Sequence, residues 1–441
     1  MSIMMLHTKN PYKNLYALLK KTLFQVFIIV TILCSCNNEH QDLSPSKNEY
    51  DLGFVFSDDQ QSQKFYTKVN FKLSNSFTEE IPHHAQLPKC CHCPRVARNI
   101  KNAFLICLVP GFKVEDIDPY SPRVAQMLKD LIIGKFKGKE DQVCVETKIF
   151  SRWGNFSPDN RDNETFQTQY FILRNQLDLQ IKKLQERYTN AQVHVVFIGE
   201  SYGGKMSLFF LDQLLKNFKT PKVSFDMLIT IHSPLYKMQM PSYALNSTFL
   251  KSPTAQTLTS FFNVLDYLNV KDYRTTFKIL SSEYINDVTT TEALENLQGK
   301  NIKIFNFIGT PKEIHLGDKH TTFESFAKSF LDKLDAINWG FKLTLQSSID
   351  ENDSLITFLK DKDYYNNSDF VVKTSEVTKD KTLIENIKSN RDRFQIYQTE
   401  GMTFFISPHI IHLGDVFNID LFEKDLQNKD LLAQLNEALR F

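Results

Sequence analysis

Covalent chemistry is possible at Gly199-Glu200-Ser201-Tyr202-Gly203, a Gly-x-Ser-x-Gly pattern with a further glycine at Gly204. A serine spaced this way between glycines can act as a nucleophile when a strand precedes it and a helix follows. Both flanks meet that condition. Val193–Ile198 is short, apolar and rich in β-branched residues, as suits a strand buried on both faces. Met206, Phe209, Phe210, Leu214 and Phe218 then recur at helical spacing. A Cβ at Gly199 or Gly203 would clash where that helix and strand pack, and Gly204 gives further room.

An alcohol is a weak nucleophile at neutral pH. It needs a histidine to take its proton, a carboxylate to hold the histidine, and backbone N–H groups to receive the charge that develops on a carbonyl oxygen. One donor is expected at Tyr202 N–H, directly after the serine. The other is expected where the apolar strand starting at Asn102 ends in Val109-Pro110-Gly111-Phe112. Gly111 lets the chain turn there, and Phe112 N–H is the candidate. The base belongs after the last strand, where His409 and His412 stand; His412 leads because it opens the terminal helical segment. Ile-His-Leu-Gly-Asp occurs twice, at Ile314–Asp318 and Ile411–Asp415. The first copy leaves a strand and a helix after it, so His315 reads as structural or surface. Glu313, Asp318 and Asp369 are the candidate acids.

The elements that must position these groups alternate. Apolar strands are expected within Asn102–Phe112, Gln142–Phe150, Val193–Ile198, Asp226–Pro234 and Asn301–Pro311, with the last strand carried by Phe394–Ser407. Helical patterns lie between them: Ser121-Pro122 starts one, Leu173, Leu177, Ile181, Leu184 and Tyr188 mark another, and Leu431, Leu432, Leu435 and Leu439 stripe the last. This alternation predicts an α/β fold, a mostly parallel central sheet with helices on both faces. The nucleophile strand follows two strand–helix units, which is the α/β-hydrolase order. Residues 235–300 and 312–365 exceed that plan and read as insertions at the site edge, the first a helical cap. Leu258, Phe261, Phe262, Leu265 and Leu268 give that cap an apolar face.

The N-terminus reads as an address. Lys13, Lys20 and Lys21 precede the apolar run Leu23–Leu33, which is too short to span a bilayer as a helix. The run ends in Leu33-Cys34-Ser35-Cys36, which resembles a bacterial lipobox and implies a diacylated Cys36 as first mature residue. Residues 1–36 are therefore expected to be a lipoprotein signal peptide, 37–63 a polar tether, and 64–441 the hydrolase domain, opening on an alternating strand at 64–73. Such a protein belongs in a bacterial cell envelope, held on the membrane surface through acylated Cys36. The net charge of +1 gives no footprint for nucleic acid. Cys90, Cys91 and Cys93, with His92 and the upstream His83 and His84, do not match a standard zinc spacing. A disulfide within this group, or free thiols, is expected in preference to metal, with Cys107 and Cys144 buried in strands.

Taken together these motifs resemble the bacterial triacylglycerol lipases of the α/β-hydrolase superfamily, over roughly residues 102–430. Val109–Phe112 is similar to their oxyanion turn and Ile198–Lys205 to their nucleophile motif. The segments Arg174–Ile181, Leu228–Leu235, Ile285–Gln298 and Ile302–Thr310 resemble family elements in the same order. Asn366–Val377 resembles the segment holding the catalytic aspartate, and Ile411–Asn418 the one holding the histidine. The resemblance implies Asp369 as acid, His412 as base and Arg174 as a brace for the oxyanion loop. It implies hydrolysis of carboxylic esters, with lipid acyl esters as substrates and no cofactor. Departures are Pro110 and Glu200 where the family carries histidine, Phe370 where it carries glycine, and Asp415 one residue from a calcium-binding aspartate; no metal is expected. A thioesterase, amidase or acyltransferase could use the same site. A non-catalytic surface lipoprotein with a drifted site is the remaining alternative.

Overall fold

The computed structural model describes residues 91–93, 99–111, 120–150, 166–246, 287–311, 313–316, 319–322, 325, 368, 372–399, 401–411 and 419–439. All belong to the unit Leu73–Phe441. The signal peptide with Cys36, the tether, the strand at 64–73 and the apolar face at 258–268 lie outside the described residues. So do Phe112, Asp318, Asp369, His412 and Asp415.

One sheet organises the chain. Its strands are β1 (Cys91–His92), β2 (Asn102–Val109), β3 (Val143–Ile149), β4 (Gln192–Glu200), β5 (Val223–Ile231), β6 (Lys303–Gly309), β9 (Gln395–Thr399) and β10 (Met402–Ser407). They lie in the order β1-β3-β2-β4-β5-β6-β10-β9. The six central strands pair in parallel, and β1 and β9 close the two edges antiparallel. β7 (Glu313–Leu316) and β8 (Lys319–Thr322) form a separate antiparallel pair inside the 312–365 insertion. His315 sits in β7, paired in register with His320.

Parallel strands need crossovers, and helices supply them. α1 (Tyr120–Lys135), α2 (Phe166–Arg187) and α3 (Tyr202–Asn217) connect the first four parallel strands. α4 (Met240–Asn246) and α5 (Asp287–Gly299) lie within the first insertion. α6 (Thr374–Val377) and α7 (Lys381–Ser389) precede β9, and α8 (Ile419–Leu426) and α9 (Lys429–Ala438) close the chain. α1 packs with α8 and α9, while α3 packs with α2 and α5 and α2, α3 and α5 all meet sheet strands. Strands covered in this way have no face for polar alternation. β2, β4 and the second half of β5 are accordingly buried along their length. Val124, Leu128 and Ile132 of α1 sit fully buried with Phe104, Val145, Phe307 and Leu435 in one apolar core. Each such side chain contributes about 1.5–3 kcal/mol by leaving water.

Two expectations are corrected. Phe394–Ser407 is a hairpin and not one strand: Gly401, at φ 70°, turns the chain so that β9 pairs back onto β10. The disulfide links Cys93 to Cys144 of β3, across 51 residues, and so leaves the Cys90–Cys93 group. The reason is register. β1 pairs antiparallel with β3, His92 opposite Val145, which carries the next residue, Cys93, alongside Cys144. Cys107 is a buried free thiol, as its apolar strand implied.

Candidate active site

β2 has β3 on one side and β4 on the other, so the direction of winding reverses between β2 and β4. In open α/β sheets a crevice forms at the carboxyl ends of the strands at such a point. Ser201 stands there, between the last residue of β4 and the first of α3. Its backbone has φ 51° and ψ −126°, a conformation that side-chain-bearing residues seldom adopt and that neighbours must enforce. Ser201 N–H donates to Ile231 O (2.9 Å), and Gly204 N–H donates to Ser201 O (3.1 Å). The glycines permit the crossing: a Cβ on Gly203 would run into the carbonyl oxygens of Val109 and Pro110. A Cβ on Gly199 would come within 2.7 Å of Gly203 O and Gly204 N.

The turn after β2 lies beside the serine. A Cβ built on Gly111 would fall 3.6 Å from Ser201 Oγ and 3.0 Å from its Cβ. The approach to Ser201 Cβ is tight, whereas that to the hydroxyl is ordinary van der Waals contact. Tyr202 begins α3, so its N–H lies in the first turn, at the positive end of the helix dipole. The Tyr202 phenol points away, donating to Gln169 Oε1 (3.0 Å) in the core. Phe112, the other candidate donor, follows Gly111 directly.

Behind the serine lies a polar cluster with no simple sequence pattern. Glu200 is fully buried, accepts a hydrogen bond from Ser121 Oγ, and lies 3.5 Å from His232 Nε2. His232 has φ 38°, and its complete burial lowers the imidazole pKa to about 3, so the ring is neutral. Its ring meets Tyr120 edge-on at 5.7 Å. The Tyr120 hydroxyl donates to His409 O (3.2 Å) and accepts from Ile411 N–H (3.1 Å). The start of α1 therefore fastens the exit of β10 close to the residue that precedes Ser201.

His412 is the next residue after Ile411. His409, its rival, has Nδ1 2.8 Å from Asp425 Oδ2 of α8, and Ser407 Oγ donates to the same oxygen. Asp369 is preceded by buried Ser368 and followed, two residues beyond Phe370, by buried Val372. Ser368 forms an antiparallel bridge with Lys373. Arg174 makes an ion pair with Asp178 (2.6 Å) and lies 5.1 Å over the Phe218 ring, at the far end of α3 from Ser201. The loop that the resemblance has Arg174 brace runs on from Gly111 into residues outside the described ones.

Two buried groups escaped the sequence reading. Lys205, one turn into α3, donates to Tyr236 O (2.7 Å), and burial lowers its pKa to about 7. Glu376 of α6 is buried with it, and burial pushes its carboxyl up. Both occupy positions where a charged residue normally signals surface, so composition concealed them. Cys93, Cys144 and Glu146 form the one metal-type cluster among the described residues, but both sulfurs are spent in the disulfide.

A largely parallel sheet, a strained strand–serine–helix turn at its switch point and helices on both faces define the α/β-hydrolase fold. No protein-family profile and no curated relative matches the chain. Among solved structures, it is similar to phospholipase PlaB from Legionella pneumophila at 12% identity and TM-score 0.38, over 77% of this chain and 63% of that one. A carboxylesterase of Nitrososphaera gargenis matches at 14% identity and TM-score 0.27, over 50% and 75%. A thermostable carboxyl esterase from Bacillus coagulans matches at 14% and 0.28, over 50% and 74%. The chain thus spans a little under two thirds of the phospholipase.

Proposed function

We propose that the protein is a serine hydrolase of carboxylic esters, acting on lipid acyl esters through Ser201, His412 and Asp369. The observation that carries this reading is Ser201 itself: a left-handed serine at the head of a buried helix, with the glycine of the neighbouring turn alongside its hydroxyl. Backbone strain of this kind persists only where the surroundings enforce it, and in a strand–serine–helix turn it serves to present Oγ at the top of the sheet.

In this mechanism His412 takes the Ser201 proton as Oγ bonds to the ester carbonyl carbon. The carbonyl oxygen becomes an oxyanion held by the Tyr202 and Phe112 N–H groups. The tetrahedral adduct collapses, the carbon–oxygen bond to the alcohol breaks, and His412 returns the proton to the departing alkoxide. Water then repeats the sequence on the acyl-enzyme and releases the acid. Asp369 holds the imidazole tautomer. No cofactor enters. A diacylated Cys36 in the cell envelope of a bacterium would keep the enzyme near acyl lipids, and the near-neutral charge suits a lipidic partner more than nucleic acid.

Purified protein incubated with a fluorophosphonate probe and with p-nitrophenyl esters of graded chain length tests the reading. Ser201 labelling, ester turnover and loss of both in Ser201→Ala are expected. Turnover confined to thioesters or amides would move the activity to those substrates. Absence of labelling would mean a binding protein on a hydrolase fold.

One observation favours a second assignment of the base. His409 already has the hydrogen-bonded carboxylate that a general base requires, in buried Asp425. If His409→Ala abolishes turnover and His412→Ala does not, the working pair is His409 and Asp425.

A further inference from the structure

The carboxylate of Glu376 sits between two pieces of chain that the proposed reaction needs in fixed relation. Oε2 accepts Lys373 N–H (3.0 Å), and Oε1 accepts Gln239 N–H (2.8 Å). Lys373 is also the partner of Ser368 in the antiparallel bridge, so Glu376 fastens the closing end of the short stretch 368–373 that contains Asp369. Gln239 lies just beyond β5, where the first insertion leaves the sheet. The Glu376 backbone joins in, its carbonyl accepting Tyr236 N–H (2.8 Å). Tyr236 O in turn accepts Lys205 Nζ from the nucleophile helix. A short polar chain therefore runs from α3 through the root of the insertion to the stretch 368–373.

The other stalk of the insertion is tied to the same place. Lys237 N–H donates to Asp287 Oδ1 (2.9 Å), Thr290 Oγ1 donates to Leu235 O (2.8 Å), and Lys379 Nζ lies 2.9 Å from Asp287 Oδ2. A buried carboxylate is costly unless its oxygens are satisfied, and Glu376 meets that cost with two backbone donors, one on each oxygen. Packing alone would favour an apolar residue at so buried a position.

We propose that Glu376 is a positioning residue for Asp369, holding the acid-bearing stretch to the insertion root and, through Tyr236, to the nucleophile helix. The inference rests on Asp369 being the acid of the proposed triad. Glu376 touches no reacting atom. Its effect is on geometry, where displacement of about 1 Å can cost up to about 100-fold in rate.

The test is a double-mutant cycle on the purified full chain with p-nitrophenyl butyrate, combining Glu376→Gln with Asp369→Asn. Glu376→Gln keeps the shape but can accept only one of the two N–H groups. The expected result is a fall of about 10-fold or more in kcat with KM within twofold, and no further fall when Asp369 is already Asn. Additive effects would overturn the inference, because a general structural defect slows both backgrounds alike. Wild-type kcat in Glu376→Gln, with Asp369→Asn inactive, would overturn it and leave the triad standing. Full activity in Asp369→Asn would remove the triad reading and this inference together. If Glu376→Gln does not fold, Lys373→Pro decides by the same cycle. Position 373 has φ −72°, which proline accepts, and the change deletes the donor on the acid side together with the Lys373 Nζ contact to Gln239 Oε1 (3.4 Å), so Lys373→Met serves as its control. An unchanged kcat there overturns the proposal.

Discussion

Between Gly199 and Gly204 the backbone is fixed by neighbours a few positions away and by two adjacent strands, β2 and β5. The stretches next to Asp369 and His412 are held from far along the chain. Glu376 reaches Gln239 across 137 positions, and Tyr120 reaches Ile411 across 291. The turn at Ser201, the proposed nucleophile, is thus a local device, complete once β2, β4 and β5 pair. The stretches beside Asp369 and His412, the proposed acid and base, depend on helix starts and insertion stalks, and the first is tied to α3 only through Tyr236 and Lys205.

His412→Ala tests this division most severely. Turnover is expected to fall about 10³-fold or more in steady-state ester assays, with folding intact, since residual catalysis by the oxyanion donors survives loss of the base. His409→Ala, which cuts the tie to Asp425 of α8, is expected to lower thermal stability while leaving turnover within tenfold. The reverse outcome would transfer the base to His409.

Gly203→Ala attacks the local side of the comparison. The new Cβ meets main-chain oxygens of Val109 and Pro110, which cannot swing aside as a side chain could. A cost of about 3 kcal/mol is expected from denaturant titration. Probe labelling of Ser201 should fall with it, because strand β2 and its turn must shift.

Lys205→Met probes the link between the two regions. An unfolded lysine keeps its proton to about pH 10, whereas folded Lys205, facing Glu376, Asp287 and Lys379, releases it near 7. Between those values the unfolded chain binds more protons. Stability therefore rises with pH by about 1 kcal/mol per unit over that window, and below it the full penalty of the buried charge is felt. Unfolding midpoints of wild type and Lys205→Met should diverge most near pH 6 and converge toward pH 10. Parallel profiles would mean that Lys205 is not buried as a titrating group.

What could be read in the sequence follows the same line. The turn at Ser201 was legible because steric crowding forces glycine at fixed offsets, and the parallel strands because burial on both faces forces continuous apolar runs. The β9–β10 hairpin was missed because Gly401 stands alone in an otherwise strand-like stretch. The Cys93–Cys144 pairing was missed because it depends on the register of β1 against β3, which no local pattern encodes. Glu200 of β4, Ser121 of α1 and His232, the residue after β5, are far apart in the chain, and only folding brings them together. Lys205 and Glu376 were hidden by the ordinary expectation that charged residues face water.

Arg174 supplies the smallest expected effect and a check on how far resemblance should be carried residue by residue. A brace for the oxyanion turn would have to reach the carboxyl end of β2. Among the described residues the Arg174 guanidinium meets Asp178, one helical turn on, Tyr170, one turn back, and the Phe218 ring, at the end of α3 away from Ser201. Asp178 is about half exposed, so the pair is screened and contributes under about 1 kcal/mol. The stacking on Phe218 adds about as much. Arg174→Ala is therefore expected to lower the melting temperature by a few degrees and to change kcat/KM less than twofold. A tenfold loss of kcat with unchanged stability would show instead that the side chain reaches the turn during catalysis, and the separation between the local nucleophile device and its distant supports would need to be redrawn around α2.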